Sequence, residues 1–174
     1  MKKIAVIVAF IFCACGSSQT WYEERIANWC DKEWECQGDP TYHNDPDFVI
    51  NMAVLHQAFI EARSEITVCP DPATEWKSSC EIAECMEGDC DTYAIWLWRK
   101  LRNRGWPDNV NGMMIVHIPS MPAEYQYHLV NAIKDRGGFI YCDVMGIIGP
   151  SPGVLNDLIF RKVIWFNLFE YREF

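Results

Sequence analysis

Two stretches between residues 20 and 64 have the pattern of amphipathic helices. Thr20-Trp21-Tyr22-Glu23 has the form of a capping box and predicts a helix that runs to about Trp34. Asp45-Pro46 has the form of an N-cap followed by proline in the first turn, and it predicts a second helix that ends near residues 62–64. His56 lies beside the apolar stripe of this second helix and is interpreted as a packed or surface residue. The stripe recurs at steps of four, three and four: Phe48, Met52, Leu55 and Phe59.

A third helix is predicted in the middle of the chain. Residues 69–87 are rich in proline, serine and cysteine, and they predict an irregular segment. After them Asp89 is a good N-cap, and Gly105 is expected to end the helix that follows. Acidic residues at its beginning and basic residues at its end complement the helix dipole. Its apolar face is expected to contain Tyr93, Ala94, Leu97 and Leu101.

Beyond Pro107 the pattern changes from helical to extended. Residues 113–118, 127–133 and 139–145 are rich in β-formers, and Asp-Arg-Gly-Gly at 135–138 predicts a hairpin between the last two runs. Residues 146–153 are predicted to form a loop. The tail FRKVIWFNLFEYREF fits a strand or a helix, and we expect it to cover the sheet rather than bind a membrane, because charged residues interrupt it. Helices followed by an antiparallel sheet predict an α+β fold.

The first 14 residues, MKKIAVIVAFIFCA, have the pattern of an export signal. Two lysines precede an apolar run that is too short for a permanent membrane span. Cys15 and its neighbours resemble the lipobox of bacterial lipoproteins, in which this cysteine is lipidated. Residues 15–20 would then be a tether on the periplasmic side of a bacterial membrane. Simple cleavage near Ala14 or Ser17 is the alternative.

Residues 21–174 are expected to form one domain, because about 155 residues can build a single sizeable core. The formal charge of the chain is −9, and two of its positive charges, Lys2 and Lys3, lie in the leader, so the remainder carries −11. This acidic balance argues against nucleic acid as a partner. We expect a monomer that contacts the membrane only through an N-terminal lipid anchor.

The cysteine count suggests a disulfide-stapled protein with one free thiol. Of nine cysteines, Cys13 and Cys15 belong to the leader, which leaves seven. In an oxidising compartment an odd number predicts six paired cysteines and one free cysteine. A zinc site at Cys80, Cys85 and Cys90 is the competing interpretation, but the spacing lacks a C-x-x-C knuckle and no histidine lies at ligand spacing.

Cys90 has surroundings that suit a reactive thiol. It stands at the predicted beginning of a helix, where the dipole and unpaired N–H groups favour a thiolate. Asp89 and Asp91 oppose that effect unless Asp89 caps the helix and Asp91 is paired or ligated. A thiol nucleophile in such a place also requires a histidine partner.

Of the four histidines, His128 best meets this requirement. If residues 135–138 form the hairpin turn, Lys134 faces Phe139, and His128 lies diagonally next to Asp143 on the same face of the sheet. A carboxylate in that position can fix the tautomer of the ring. His117 has no identifiable acid beside it and is interpreted as structural.

Four segments in this order resemble the bacterial transglutaminase-like cysteine proteinases. They are GDCDTYA at 88–94, RGWP at 104–107, YHLV at 127–130 and YCD at 141–143. That family carries G-D-C-E-D-[YF]-A, H-x-V and an L-D-like strand on a papain-like α+β core. The resemblance implies that Cys90 is the nucleophile, His128 the general base and acid, and Asp143 the orienting acid. It also implies hydrolysis of protein or peptide amide bonds through a thioester.

The sequence departs from the family pattern at two positions. Thr92 stands where the family has a second acid after the cysteine, and some members bind calcium through the acids of this motif. Asp89 and Asp91 are then candidate calcium ligands, but calcium takes six to eight oxygens, and we expect capping instead, with no cofactor required. Cys142 precedes Asp143, so it could form a disulfide that locks this strand, or it could be the free thiol while Cys90 is paired.

Two alternatives to hydrolysis remain at this point. The same triad could transfer the acyl group to an amine, as a transglutaminase does, or act as an amidase on cell-wall peptide. The chain could also be a non-catalytic, disulfide-stapled binding module in which GDC is only a capped helix beginning.

Overall fold

The computed structural model describes residues 20–69, 75–119, 126–143, 146–148 and 161–174. Residues 1–19, which contain the predicted export signal, Cys15 and the predicted tether up to Gln19, therefore lie outside the described residues. Within the described ranges, no helix has the length and apolar character that a membrane span requires.

The fold is α+β, as the sequence predicts. The described residues contain four helices, a short parallel strand pair and a six-stranded antiparallel sheet of order β6-β5-β4-β3-β7-β8. The helices are α1 (Thr20–Gln37), α2 (Met52–Glu65), α3 (Ser79–Cys85) and α4 (Cys90–Asn103). The parallel pair is β1 (Thr67–Val68) and β2 (Glu87–Gly88). The sheet contains β3 (Asn111–His117), β4 (Tyr127–Asp135), β5 (Gly138–Asp143), β6 (Gly146–Ile148), β7 (Arg161–Phe166) and β8 (Tyr171–Glu173).

Helix α4 occupies the centre of the molecule, between the sheet and the other helices. Its predicted apolar face is confirmed, since Tyr93, Leu97 and Leu101 are buried with Ile133 of β4 and Phe59 of α2. Burying side chains of this size stabilises the fold by about 1.5–3 kcal/mol each. On a second side, Trp98 meets Trp29 of α1 edge to face, with ring centroids 5.3 Å apart. Helix α4 is thus packed against β4, α2 and α1.

The predicted hairpin is confirmed and sets the register of β4 and β5. Lys134 pairs with Phe139, and Asp135 pairs with Gly138. The predictions for the chain after residue 145 are corrected in part: the strand alternative for the tail is confirmed, and residues 149–153 of the predicted loop lie outside the described residues. Part of the predicted 146–153 loop is strand β6, which pairs with β5. The tail does not cover the sheet but joins it, because β7 pairs with β3 and β8 pairs with β7.

The predicted beginning of α2 is also wrong, by several residues. Asp45 does not cap a helix: its side chain accepts a hydrogen bond from Asp47 N, and its backbone N–H and C=O are bonded to the side chain of Asn109. The helix begins at Met52, and Asn51 is its N-cap, accepting hydrogen bonds from two backbone N–H groups of the first turn. Met52, predicted as a core residue, is exposed.

The segment predicted to be irregular contains α3, which is fastened to α1. Ser78 and Glu81 form a capping box at the beginning of α3. Glu33 of α1 is fully buried and accepts hydrogen bonds from Ser79 N at 2.6 Å and Ser79 Oγ at 2.7 Å. The Cys36–Cys80 disulfide joins the same two helices. This bridge rules out the zinc interpretation, which needed the Cys80 thiol.

The expectation of six paired cysteines is wrong for the described part of the chain. Cys36 and Cys80 are bridged, and the remaining cysteines there are unbridged: Cys30, Cys69, Cys85, Cys90 and Cys142. Cys30 packs against the core cluster around α1, Cys142 lies in the cluster under α4 with α2, and Cys85 is exposed.

We expect the double variant Cys36→Ala/Cys80→Ala to lower the free energy of unfolding by about 2–4 kcal/mol. The bridge links residues 44 apart in sequence, so its loss frees a long loop in the unfolded chain. Urea unfolding of the oxidised proteins measures the difference. Cys85→Ala, which removes an unbridged thiol from the same helix, is the matched control and should change the unfolding free energy little. Equal stability of the double variant and the wild type would contradict the prediction.

Candidate active site

The candidate site is built on the turn that leads from β2 into α4. Parallel pairing of β1 and β2 holds the chain up to this turn, and Cys69 N donates to Gly88 O at 3.0 Å. Asp89 is the N-cap, as predicted, and its side chain accepts a hydrogen bond from Asp91 N at 3.2 Å. Cys90 is therefore the first residue of α4, half-buried and unbridged. The first N–H groups of a helix have no partner within the helix, so this position presents donors and the positive end of the dipole next to the sulfur.

Gly88 and Thr92 are in direct contact beneath this turn. A Cβ built on Gly88 would lie 2.1 Å from Thr92 Oγ1 and 2.5 Å from Thr92 Cβ, far inside contact distance. Thr92 is fully buried, and its Oγ1 donates to Asp91 Oδ1 at 3.3 Å. The sequence prediction did not include this contact; the glycine before the Asp-Cys pair was the only signal of it.

His128 and Asp143 come from the adjacent ends of β4 and β5. His128 Nε2 lies 3.1 Å from Asp143 Oδ1, and about a quarter of each side chain is exposed (24% and 23%). The hairpin register favours this contact, because the pairing continues from the turn at Arg136-Gly137 to Asn131 and Cys142. Asp143 directly follows the last residue of β5 that pairs with β4, and His128 lies three residues before the last such residue of β4. The predicted proximity of the two side chains is therefore confirmed, and their roles in catalysis stay a prediction.

Cys90 and Asp143 together determine the charge of His128. Burial has the largest effect on the pKa of His128 and lowers it, but hydrogen bonds to Asp143 and to Cys90, and the charges of both groups, raise it to about 10. The ring is then an imidazolium at neutral pH. Nε2 is used toward Asp143, which leaves Nδ1 as the ring nitrogen for another partner. An imidazolium beside a sulfur favours the thiolate.

Two other unbridged cysteines are unsuited to be nucleophiles. Burial, and then the charge of Asp143, raises the pKa of Cys142 to about 12. Burial, followed by the charges of Asp31 and Glu33, raises the pKa of Cys30 to about 12 as well. Both remain protonated near neutral pH. The alternative in which Cys142 is the free thiol and Cys90 is paired is contradicted, since neither is bridged.

His117 and His56 take part in other contacts. His117, at the end of β3, has its Nε2 3.2 Å from Gln126 Oε1, and its ring lies against Tyr127. His56 is exposed on α2 beside Phe59. These contacts fit the structural interpretation of both residues.

The residues of the motif do not form a calcium cage. Asp89 caps α4, Asp91 accepts a hydrogen bond from Thr92, and Thr92 supplies a neutral, buried hydroxyl where an acid was expected. Among the described residues, no three side chains of His, Cys, Asp or Glu lie close enough to hold one metal ion. Calcium takes six to eight oxygen ligands, so Asp89 and Asp91 alone do not fit it.

The arrangement supplies the parts of a thiol-dependent acyl transfer. A sulfur at a helix beginning, an imidazolium beside it and a carboxylate behind the ring can provide a nucleophile, a proton carrier and a group that orients the carrier. All three side chains are partly accessible to solvent, so a substrate can reach them.

The structure is similar to solved structures of LapG from Legionella pneumophila, a bacterial transglutaminase-like cysteine protease. The calcium-bound form has a TM-score of 0.57 at 18% identity, over 90% of this chain and 81% of LapG. The EGTA-treated form has a TM-score of 0.59 at 17% identity, over 90% of this chain and 79% of LapG. At this identity the likeness shows the fold alone, which this chain shares with LapG. A scan against protein-family models gives no match, and a search of curated proteins gives none either.

Proposed function

We propose that this protein is an exported cysteine peptidase that hydrolyses amide bonds of a protein or peptide through Cys90, His128 and Asp143. The observation that carries the proposal is the contact of His128 Nε2 with Asp143 Oδ1 at 3.1 Å, beside the unbridged Cys90. Burial lowers the pKa of His128, but Asp143 and Cys90 together raise it to about 10. A histidine with this pKa is protonated at neutral pH. It can therefore stabilise the thiolate of Cys90, which is the nucleophile of the proposed reaction. The similarity to LapG supports the same class of reaction.

In the first half of the reaction, Cys90 Sγ attacks the carbonyl carbon of the amide and forms a C–S bond. The His128 imidazolium gives its proton to the departing nitrogen as the C–N bond breaks, which leaves a thioester on Cys90. The Cys90 backbone N–H, at the beginning of α4, is in a position to stabilise the oxyanion. Removing one such donor typically costs about 2.7–4 kcal/mol of transition-state stabilisation.

In the second half, water attacks the thioester. Neutral His128 takes a proton from the water, the C–S bond breaks, and the carboxylic acid leaves while Cys90 and His128 return to their first state. Asp143 keeps the ring oriented and compensates its positive charge through both halves. An amine in place of water would give transamidation, and product analysis with and without an added primary amine separates the two outcomes.

We further propose that the enzyme is located on the periplasmic side of a bacterial membrane, to which a lipid on Cys15 anchors it. The support is the leader sequence and the lipobox-like residues around Cys15. A mass spectrum of the mature N-terminus tests this, since a triacylated Cys15 and an unmodified residue near position 17 differ clearly in mass.

The proposal is tested by the rate at which iodoacetamide labels each thiol at about pH 6, measured by peptide mass spectrometry. We expect Cys90 to be labelled faster than the exposed Cys85, because only Cys90 has an imidazolium beside it. We expect His128→Ala to slow the labelling of Cys90 about tenfold or more at this pH and to leave Cys85 unchanged. An unchanged rate at Cys90 in the variant would remove His128 from its role.

A further inference from the structure

We propose that Thr92 is a positioning residue that holds the turn of the nucleophile, so that this chain needs no calcium for its reaction. The inference rests on the proposed function, and it concerns how the same site is kept in order. It comes from a disagreement between the residues of this turn and those that calcium would require.

The contact between Thr92 and Gly88 fixes the turn from inside. Thr92 is fully buried, and its side chain lies directly on the backbone of Gly88, where even a methyl group would not fit. Gly88 is in turn held by its pairing with Val68 in β1 and by the hydrogen bond from Cys69 N. The first turn of α4 is therefore joined to the β1–β2 pair through Thr92, and Cys90 lies between the two joined residues.

Hydrogen bonds within the turn occupy both carboxylates. Thr92 Oγ1 donates to Asp91 Oδ1 at 3.3 Å, and Asp91 N donates to Asp89 Oδ1 at 3.2 Å. Each carboxylate thus accepts a hydrogen bond from the turn itself. These bonds restrain the two acids that flank Cys90, which is what a shared cation would otherwise do.

An acid in place of Thr92 would be difficult to accommodate in this structure. Aspartate is longer than threonine by one heavy atom, and the space above Gly88 is already filled. A buried carboxylate would also need a compensating charge, because burying an unpaired charge is very costly. Such a charge could be supplied by a cation, so a calcium site and an acid at position 92 would belong together. Thr92 removes the need for both.

The first test compares the wild-type protein in EGTA and in millimolar calcium. We expect the Tm to stay the same in both and the rate of Cys90 alkylation to differ by less than about twofold. A bound ligand present well above its Kd would instead raise the Tm measurably. A higher Tm together with faster alkylation in calcium would overturn the inference.

The second test replaces the Thr92 hydroxyl. Thr92→Val keeps the shape but removes the donor to Asp91, and we expect kcat to fall about tenfold, which corresponds to the loss of one hydrogen bond, while KM changes little. Thr92→Ser keeps the hydroxyl and should restore most of kcat. A merely structural role would not produce this split between the two variants. Thr67→Val, on exposed β1, is the matched control and should keep full activity.

The outcomes separate this inference from the proposed function. If Cys90 is unreactive in the wild type and in all the variants, the proposed function fails. If Cys90 is reactive but Thr92→Val has wild-type kcat, the function stands and the positioning role of Thr92 is wrong. If Thr92→Val does not fold, an active Thr92→Ser that is indifferent to EGTA supports the inference, and one that needs calcium overturns it.

Discussion

Replacing Cys90 with alanine is expected to reduce kcat by on the order of 10⁵–10⁶-fold, which is the cost of removing the nucleophile from a comparable triad. The Cys90 sulfur is the only group in the site that can form the thioester, and the other two members of the series cannot replace it. The fold should survive, because Cys90 is half-buried and unbridged and the Asp89 cap of α4 does not involve its side chain. We expect the Tm to change by no more than about 2 °C.

Cys85→Ala is the matched control for this variant. Cys85 is an exposed, unbridged thiol five residues before Cys90, and its sulfur donates to the backbone carbonyl groups of Ile82 and Glu87. Its removal should leave kcat and KM unchanged. Substantial turnover by Cys90→Ala, with the Cys85→Ala protein equally active, would show that the reaction does not use Cys90 and would favour the non-catalytic binding module.

The parts of the site that the sequence predicts are those governed by local chemistry. Asp89 followed by a helical pattern is a cap wherever it occurs, and the Gly-Gly at 137–138 requires a tight turn almost regardless of context. The turn then sets the register of β4 and β5 as far as Asn131 and Cys142, so a signal several residues away brings together the strand ends that carry His128 and Asp143. Local sequence signals were sufficient here because a helix cap and a hairpin turn determine the positions of the residues that follow them in a regular helix or strand.

Contacts between distant segments were not predictable in this way. Asp45-Pro46 reads as a helix beginning, but Asn109, 64 residues away, binds both backbone groups of Asp45. The tail joins the sheet because the edge of β3 accepts it, which the tail sequence does not encode by itself. The packing of Thr92 on Gly88 depends on the geometry of the turn from β2 into α4, and the sequence of the motif does not specify the distance between these two residues. Disulfide pairing was unpredictable for the same reason, since seven cysteines carry no information about which pairs are close.

Asp143→Asn is expected to lower kcat by about 10²–10⁴-fold and to move the alkaline limb of the pH profile to lower pH. Burial by itself lowers the pKa of His128, and the hydrogen bond and charge of Asp143 are among the effects that raise it to about 10. Without that charge the imidazolium is less stable, so the ring loses its proton at lower pH, by about 1–3 pH units. The neutral amide can also orient the ring wrongly, which costs about 10⁴-fold in a comparable triad. Measurement of kcat/KM between pH 5 and 10 checks both effects.

Asp143→Asn is also expected to change how the free energy of unfolding depends on pH. A pKa raised from its ordinary 6.5 to about 10 means that the stabilisation by His128 is fully present below about pH 6.5 and is lost as the pH rises through 10. The difference in unfolding free energy between wild type and Asp143→Asn should therefore be largest near pH 6 and shrink toward pH 10. Asp135→Asn, an exposed acid at the turn end of β4, is the control and should show neither the loss of kcat nor this pH dependence. A difference that stays constant from pH 6 to 10 would mean that Asp143 stabilises the strand without holding the proton on His128, and its catalytic role would then have no physical basis.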